Sequence, residues 1–581
     1  MTSPRDFSPF RFAAAALFVL AYFGIATSHA GASPDSTRTL AWGANYSYQL
    51  GISSDTSSSA PVVVKGGDNL HSLSAWGPQV MAIGENGDAY AWGDDSSGQS
   101  SGHFDPCCGG AVGKPNDLEV KATSVGQGGN YAVRPDGSVV VWGGNGYKVI
   151  ESLGNVKSIA VGNSFFGGGF YLALLNDGTV KAWGSNQYGQ LGLGTTESRT
   201  SPKTIPGLTG VKAIAAGNGQ GIALMNDGTV KRWGGLFTSV AEPDSTLLVP
   251  TDVPGITSAT AVSASTGDAM ALLSDGTIKA WGQNYFGILG DGTDVGTSDP
   301  VTVEGISSAT AIAAGAAHSL ALLADGTMRV WGRNDQGQFG IYGMAKSLTP
   351  VAVPGLKGIV AIAASDGASY AIQDKSQPVG KLTLEMRPES EFNEGVSGSG
   401  FSNGYGSLSF PVGVQVAISA SEWGSYASFD GWSGLCTEHT GGCLAKINGD
   451  ATLGYSFTML PKYQVAPDTR MTAHRAPTGF DSAFFIFRAT GPGGHIWKVQ
   501  FECRLIRKFP PKAGGKPAFR PCHGREGNSS NKRYQHLRNG RYVFQVRATT
   551  RYGIDTTPDR YAFRIKKKTR PKHPKKHGSK S

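Results

Sequence analysis

Few side chains in the first two thirds of this 581-residue chain could act as a general base. Between residues 37 and 374 the histidines are His71, His103 and His318. At the repeat position that His318 occupies, six other segments carry unrelated residues: Gln79, Gly129, Phe170, Gln220, Asp268 and Ala368. A catalytic histidine needs a nucleophile and an orienting acid that converge on it. We therefore interpret His318 as a turn-stabilising side chain, and we predict no catalytic residue and no cofactor.

Metal binding and disulfide formation compete for the cysteines. The six are Cys107, Cys108, Cys436, Cys443, Cys503 and Cys522. Their spacings are not those of paired zinc knuckles, and the Asp-Gly pairs lack the run of oxygen ligands of a calcium loop. Local pairing favours the disulfides 436–443 and 503–522, as expected outside the cell. Zinc remains the competing interpretation, and Cys107 and Cys108 form a strained vicinal disulfide or stay free.

The elements that would position any site come from an internal repeat. Trp-Gly recurs seven times, at Trp42, Trp92, Trp142, Trp183, Trp233, Trp281 and Trp331. Five residues before six of these tryptophans stands a glycine that follows Asp or Asn, which is the preferred pair for a two-residue hairpin turn. Each turn joins an apolar strand such as 320–323 to an alternating strand such as 327–331. Four short strands in each of seven units predict an all-β fold with a seven-bladed β-propeller.

The two ends of the repeat array are incomplete in complementary ways. The unit of Trp42 lacks its upstream strands, and the last unit, 359–372, lacks its tryptophan strand. We predict that a strand through residues 39–42 completes the seventh blade. This arrangement would leave no open sheet edge in the ring.

The repeat resembles a known family. The segment 183–192, Trp-Gly-Ser-Asn-Gln-Tyr-Gly-Gln-Leu-Gly, is similar to the signature of the regulator of chromosome condensation repeat, as are 281–290 and 331–340. The resemblance covers residues 37–374 and implies a seven-bladed propeller. It does not extend to exchange activity on a nuclear GTPase, because the chain is predicted to be secreted.

Aromatic residues follow the Trp-Gly pairs and form a candidate binding rim. They are Tyr46, Tyr48, Tyr147, Tyr188, Tyr285 and Phe286. Aromatic side chains are enriched at protein–protein hot spots, and packing between blades is the alternative role. Secreted bacterial propellers of this repeat include inhibitors of class A β-lactamases, which present aromatics in a loop that here holds Gln79, Asn218, Thr266 and Ala316, with Phe165 and Phe166 as exceptions.

The regions outside the propeller indicate export and an anionic partner. Residues 1–30 have the plan of a secretory signal peptide. Residues 380–459 resemble a divergent bacterial (internalin-type) repeat domain, and 463–566 resemble an immunoglobulin-like β-sandwich. The tail 567–581 is predicted to be disordered. From residue 501 onward, 23 Lys and Arg face four acidic residues, a net charge of +19, whereas the first 500 residues carry −10.

The sequence thus predicts a secreted or cell-surface protein with a seven-bladed propeller followed by two small β domains. Its predicted function is non-catalytic macromolecular binding through propeller loops, to a protein or a cell-surface polymer. The basic tail could contact anionic polymers, and nucleic acid is the less favoured ligand for it. The alternatives are an extracellular enzyme inhibitor of the β-lactamase-inhibitor type and, more remotely, a propeller hydrolase. No membrane span is expected in the mature chain.

Overall fold

The computed structural model describes a chain made of strands and turns. The described residues are 37–94, 112, 118–126, 129–143, 147–163, 168–236, 245–386, 396–401, 406–420, 427–436, 442–459, 468–475, 483–490, 500–509, 520–521, 529–534, 540–550, 553–554 and 559–565. Within these ranges there is no helix, and hence no helix long and apolar enough to cross a membrane. The predicted signal peptide, the basic tail, His103, Cys107, Cys108, Phe165, Phe166 and Cys522 lie outside the described residues.

Twenty-seven strands build the propeller. In chain order they are β1 (Thr37–Gly43), β2 (Ser58–Asp68), β3 (Leu70–Trp76), β4 (Gln79–Gly84), β5 (Ala89–Gly93), β6 (Ala122–Gly126), β7 (Gly129–Val133), β8 (Val139–Trp142), β9 (Lys148–Val149), β10 (Val156–Gly162), β11 (Phe170–Leu175), β12 (Val180–Gly184), β13 (Arg199–Thr204), β14 (Val211–Ala216), β15 (Gln220–Met225), β16 (Val230–Leu236), β17 (Ser245–Asp252), β18 (Ala259–Ala264), β19 (Asp268–Leu273), β20 (Ile278–Gly282), β21 (Thr297–Thr302), β22 (Ala309–Ala314), β23 (His318–Leu323), β24 (Met328–Arg333), β25 (Lys346–Ala352), β26 (Ile359–Ala364) and β27 (Ala368–Asp374).

These strands form seven antiparallel sheets, the blades of the propeller. Blades 1 to 6 are β3–β5, β6–β9, β10–β13, β14–β17, β18–β21 and β22–β25, and blade 7 has the order β2-β1-β27-β26. The first strand of each blade contacts the first strand of the next, and β26 contacts β3, so the inner strands form a closed ring. Small residues dominate these strands because they crowd around the axis. The seven-bladed propeller predicted from the repeat is confirmed.

The hairpin turns form where the sequence places Asp-Gly. In blade 3, the Asp177 carboxylate accepts hydrogen bonds from the backbone N–H and the hydroxyl of Thr179, at 2.9 and 2.7 Å. Gly178 has φ of 80°, which a side chain would oppose. The same bonds recur in blades 4, 5 and 6. They hold the pKa of Asp177 below its ordinary value, so these exposed aspartates serve the turns.

Apolar side chains of neighbouring blades share each core layer. One cluster joins Leu174 and Val180 of blade 3 to Ile214 and Trp233 of blade 4, and all four are at most 1% exposed. Similar clusters join blades 4 with 5 and 5 with 6. The burial of apolar surface therefore stabilises the contacts between blades. A blade without its neighbours would lack this stabilisation.

The ring is closed by the N-terminal strand β1, as the sequence predicts. β1 pairs with β27 from Thr37 opposite Asp374 to Gly43 opposite Ala368. Its other edge pairs with β2, with Leu40 opposite Val63. The closing blade thus combines both ends of the repeat array.

A small β domain follows the propeller. Its strands are β28 (Val379–Met386), β29 (Val396–Ser397), β30 (Gly406–Pro411), β31 (Gln415–Ala420), β32 (Ala427–Gly434), β33 (Gly442–Lys446) and β34 (Ala451–Met459). β28 pairs with β30, and β29, β31 and β33 form a three-stranded sheet. Cys436 and Cys443 form a disulfide. Residues 396–420 and 432–454 belong to the same compact unit as the propeller, and the Gly400 N–H donates to the Ser57 carbonyl of blade 7 at 3.0 Å.

A second compact unit holds the remaining strands. They are β35 (Asp468–Arg475), β36 (Ala483–Thr490), β37 (Gln500–Phe509), β38 (Arg520–Pro521), β39 (Ser529–Tyr534), β40 (Gly540–Thr550), β41 (Gly553–Ile554) and β42 (Asp559–Ile565). Along β40, buried Phe544, Val546 and Ala548 alternate with half-buried residues. Cys503 is disulfide-bonded, and its predicted partner is outside the described residues. The domain bounds 380–459 and 463–566 stay predictions.

Removing β1 tests ring closure. Deletion of residues 31–43 would unpair the facing edges of β27 and β2 and remove Leu40, Ala41 and Trp42, which are all fully buried. We expect a lower melting temperature and aggregation through the open edges, measured by thermal denaturation and light scattering. Deletion of 31–36 alone is the control and should change neither. Unchanged melting and solubility in the longer deletion would contradict closure by β1.

Candidate interaction surface on the propeller rim

The loops that follow Trp-Gly lie on one face of the ring. In each blade the second strand starts opposite the glycine after the tryptophan, as with His318 opposite Gly332 and Gln220 opposite Gly234. The turn between the first two strands therefore shares a face with the loop after Trp-Gly. We call this side the tryptophan face, and the Asp-Gly turns lie on the opposite side.

One buried asparagine braces the loop in each of blades 3, 5, 6 and 7. In blade 3, the Asn186 amide donates to the carbonyls of Thr195 and Glu197 at 2.9 and 3.0 Å. Its Oδ1 accepts from the Leu191 N–H at 2.9 Å. Equivalent bonds form at the other three asparagines, Asn45, Asn284 and Asn334. These bonds brace all four loops from within, and the loop of blade 7 also contacts the small β domain, where the Ser54 hydroxyl donates to the Gly400 carbonyl at 2.5 Å.

Each braced loop holds the tryptophan of the next blade. The residue four after the asparagine presents its carbonyl, which accepts from a tryptophan indole Nε1–H. The four bonds are Trp92 to Gln49 at 3.0 Å, and Trp233 to Gln190, Trp331 to Ile288 and Trp42 to Gln338 at 2.8 Å. The last bond spans the point where the two ends of the array meet.

At the interface between blades 4 and 5 the described residues offer no such acceptor. The loop of blade 4 has no asparagine at this position, and the Trp281 Nε1–H of blade 5 finds no acceptor among the described residues. Trp183, after the short loop of blade 2, stacks on Tyr171 with ring centres 5.2 Å apart. In blades 3, 5, 6 and 7 the motif Trp-Gly-x-Asn thus marks both a braced loop and a bonded interface. The motif also occurs in blade 2, at Trp142-Gly143-Gly144-Asn145, where residues 144–146 lie outside the described residues.

The predicted rim residues do not share one environment. Tyr46 and Tyr285 are 64% and 43% exposed, and Tyr48 and Phe286 are half-buried. Tyr188 is only 8% exposed, so it offers little contact surface. Tyr147 is exposed but accepts a hydrogen bond from Arg134, which approaches from the Asp-Gly end of blade 2.

Contacts join the loops of blades 5 and 6, and Trp42 bonds blade 7 to the loop of blade 6. The Arg333 guanidinium lies over the Phe286 ring, 5.0 Å from its centre, and pairs with the Asp335 carboxylate. Lys346 of blade 6 lies 3.7 Å from Asp294 of blade 5. We call the braced loops of these three consecutive blades the rim sector. It holds Tyr285, Phe286 and Tyr46.

Tyr342 is a member of the rim sector that the sequence reasoning missed. It lies in the braced loop of blade 6 and is 61% exposed. The prediction considered only aromatics close behind each Trp-Gly pair. Asn334 extends the ordered loop to Met344, since its amide donates to the carbonyls of Ile341 and Met344. A search along the whole braced loop would have found Tyr342.

Tyr48 occupies a backbone position that elsewhere belongs to glycine. Its φ is 60°, close to the 71°, 78° and 82° of Gly189, Gly287 and Gly337 in the other braced loops. A left-handed conformation costs a residue with a side chain roughly 1–2 kcal/mol. The loop of blade 7 therefore carries an aromatic side chain at a strained position, a feature that clusters at functional sites.

His318 and Ser369 form a bonded pair that serves structure. The His318 Nε2 lies 2.9 Å from the Ser369 Oγ, and the serine hydroxyl donates to the Gln338 carbonyl at 2.8 Å. Because the hydroxyl proton is committed to the carbonyl, Nε2 must carry the imidazole proton and donate. Both residues are fully buried. Burial lowers the pKa of His318 to about 3, so the imidazole is neutral and ties blade 6 to blade 7.

Asp268, the equivalent residue of blade 5, is buried without a hydrogen-bond partner. It is 1% exposed, and neither carboxyl oxygen has a partner of normal geometry. Burial raises the pKa of Asp268 to about 8, partly offset by the backbone N–H groups of Asp268 and Gly267. The carboxyl is therefore held neutral at pH 7. The described residues contain no cluster of three or more His, Cys, Asp or Glu that could bind a metal.

The burial of Asp268 predicts a pH-dependent stability. Its pKa in the folded state lies above the unfolded value of about 4, so the free energy of unfolding falls as pH rises from about 4 to about 8. His318, with a lowered pKa, acts oppositely but only below about pH 6.5. Between pH 6.5 and 8, ionisation of Asp268 should lower the free energy of unfolding by about 2 kcal/mol. Asp268→Asn should abolish this decrease, as measured by urea denaturation.

An exposed aspartate of the same blade provides the matched control. Asp275→Asn changes a turn carboxylate whose pKa is lowered by the Thr277 hydroxyl and N–H, so it should leave the slope between pH 6.5 and 8 unchanged. An identical slope in the parent and Asp268→Asn proteins would show that Asp268 is solvated or bonded.

Comparisons with known proteins agree with this architecture. Two profiles of the regulator of chromosome condensation (RCC1) repeat match, one at residues 177–224 and 275–322 and the other at 156–190 and 309–338. The matched segments include the braced loop of blade 3 and parts of blades 5 and 6. No curated protein sequence matches the chain significantly.

Solved structures share the propeller. Prp20p from Saccharomyces cerevisiae is 18% identical, with 59% of this chain and 92% of that chain covered and a TM-score of 0.51. Human WBSCR16 is 21% identical, with coverages of 58% and 99% and a TM-score of 0.51. Yeast RCC1 (Prp20), in its complex with Kap60, is 16% identical, with coverages of 64% and 96% and the same TM-score. The chain therefore carries RCC1 repeats and folds them into an RCC1-like propeller.

Proposed function

We propose that this protein is a non-catalytic binding protein whose rim sector docks a protein partner outside the cell. One observation carries the proposal: three consecutive blades each present a loop that is braced from within and displays an exposed tyrosine. Rigid loops lose little conformational entropy on binding. Tyrosine and arginine are the side chains that dominate binding energy at protein interfaces.

The strained Tyr48 supports the same surface. Glycine would fit its backbone position at lower cost, and the other braced loops use it there. The tyrosine is half-buried beside the exposed Tyr46 in the loop of blade 7. Keeping an aromatic ring at this point is useful if the ring, or the loop shape that it enforces, contacts a partner.

The known propellers are compatible with a protein partner. The structure of Prp20p was described together with its binding to Gsp1p and histones, and that of yeast RCC1 with Kap60 bound. The partner of this chain is proposed to differ, because the predicted signal peptide would take the chain out of the cell. The small domains, proposed as an internalin-type repeat and an immunoglobulin-like module, would present the propeller at the cell surface.

Substitution of the rim tyrosines tests the proposal. In full-length protein cross-linked to whole cells and secreted material of the source organism, Tyr46→Ala with Tyr285→Ala should abolish capture of the partner that the parent protein enriches. Loss of two aromatic hot spots typically costs several kcal/mol of binding energy, roughly 2 kcal/mol each. The captured protein is identified by mass spectrometry, and its affinity is then measured with the purified pair.

Tyr147→Ala is the matched control, since it removes an exposed tyrosine from a blade outside the rim sector. It should leave capture intact. Tyr48→Gly should preserve or raise the melting temperature while weakening capture, which separates folding from binding. Equal capture by the parent and the Tyr46→Ala, Tyr285→Ala variant would exclude the rim sector as the binding surface. A captured hydrolase that is inhibited would place the protein in the enzyme-inhibitor class.

A further inference from the structure

A cleft of about 590 Å³ lies between the propeller and the small β domain, within one compact unit. One wall is the braced loop of blade 6, from Asn334 to Met344. The other wall is the three-stranded sheet β29-β31-β33, and Ser57 and Ser59 of blade 7 line the space between them. The volume is in the range of small-ligand sites.

Both walls are fixed before any ligand arrives. The amide of Asn334 bonds to the carbonyls of Ile341 and Met344 at 2.9 and 2.6 Å. The opposite wall is tied by the disulfide of Cys443 in β33. The Ser59 and Ser399 hydroxyls meet at 3.4 Å where the walls join. A preformed cleft of this kind is typical of ligand sites, whereas a chance gap between mobile domains would change shape.

The cleft combines an exposed ring with uncommitted polar groups. Tyr342 and Leu444, 61% and 48% exposed, both line it. Asp335 pairs with Arg333 through Oδ2, which leaves Oδ1 as an acceptor held in a fixed position. Gln336 adds an exposed side-chain amide with both donors and an acceptor. An apolar surface beside paired acceptors and donors suits a ligand that has an apolar face and a rim of hydroxyl groups.

We propose that this cleft binds a neutral oligosaccharide. A pyranose ring would lie on Tyr342 while its hydroxyl groups bond to Asp335 Oδ1 and the Gln336 amide. Among the described lining residues Asp335 is the one carboxylate, and Arg333 balances its charge. The cleft therefore offers no excess charge for a uronic acid or a phosphate.

A peptide fits the cleft less well. Extended peptides gain affinity by pairing with the main chain of an exposed sheet edge. Here the small domain presents the face of its sheet, with Leu444 opposite Ala417 and Gly442 opposite Ser419 in the strand register. The central strand β31 is paired on both edges, with β29 and with β33. Tyr342 belongs to both the cleft and the rim sector, but the two proposals are tested at different residues: the rim sector at Tyr46 and Tyr285, and the cleft at Tyr342.

Calorimetric titration of the full chain with neutral trisaccharides tests the site. The probes are tri-N-acetylchitotriose, laminaritriose and maltotriose. We expect saturable binding of at least one of them at Kd of about 1 mM or tighter. Tyr342→Ala should weaken that binding about tenfold, and Tyr342→Phe should retain it because the ring is kept.

Tyr147→Ala is the matched control, since Tyr147 is an exposed tyrosine that lies outside the rim sector and does not line the cleft, and this variant should bind the sugar like the parent. Tyr342 is exposed, so its variants should keep the parent melting temperature. Absence of saturable binding by all three sugars, or unchanged binding in Tyr342→Ala, overturns the proposal. A consensus peptide selected from a displayed library that binds in a Tyr342-dependent manner, without sugar binding, also overturns it.

Discussion

The hydrogen bond from a tryptophan indole to a loop carbonyl of the preceding blade is the contact on which this propeller depends. The bond positions both the tryptophan and the loop that contains the acceptor carbonyl. That loop is itself braced by its asparagine. The tryptophan sets the spacing between blades, and the loop it holds forms the tryptophan face. A net contribution of about 1 kcal/mol is typical for one such bond. Within the described part of the chain it is seen at four interfaces, including the one that closes the ring.

The same arrangement links stability to the candidate binding surface. Gln338 accepts from Trp42 and from Ser369 through one carbonyl, so the loop of blade 6 is anchored where blade 7 closes. That loop then carries Tyr342 and one wall of the cleft. A loop that is needed for closure cannot be mobile, which makes the aromatic residues on it suitable for recognition by shape.

Much of the fold could be predicted because the governing interactions are local in sequence. Asp-Gly turns and the strand alternation each operate within about ten residues, and both recur with the Trp-Gly pairs, which are 41 to 50 residues apart. The closing role of β1 followed from the two incomplete ends of the array. The candidate site was predicted less well, because exposure depends on the neighbouring blade. Tyr188 stands five residues after Trp183, as Phe286 does after Trp281, yet Tyr188 is buried and Phe286 is half-buried. The His318–Ser369 contact joins residues 51 apart in the sequence, and the cleft joins residues more than 300 apart, so no local pattern indicates either.

Paired substitutions of two tryptophans test the central claim most directly. Trp233 and Trp281 are both at most 2% exposed, but Trp233 donates to Gln190 at 2.8 Å and Trp281 has no acceptor among the described residues. Replacing each with phenylalanine removes similar volume from similar surroundings. Trp233→Phe should lower the free energy of unfolding by about 1 kcal/mol more than Trp281→Phe in urea denaturation. Equal losses would show that apolar packing alone holds the blades together and would contradict the account.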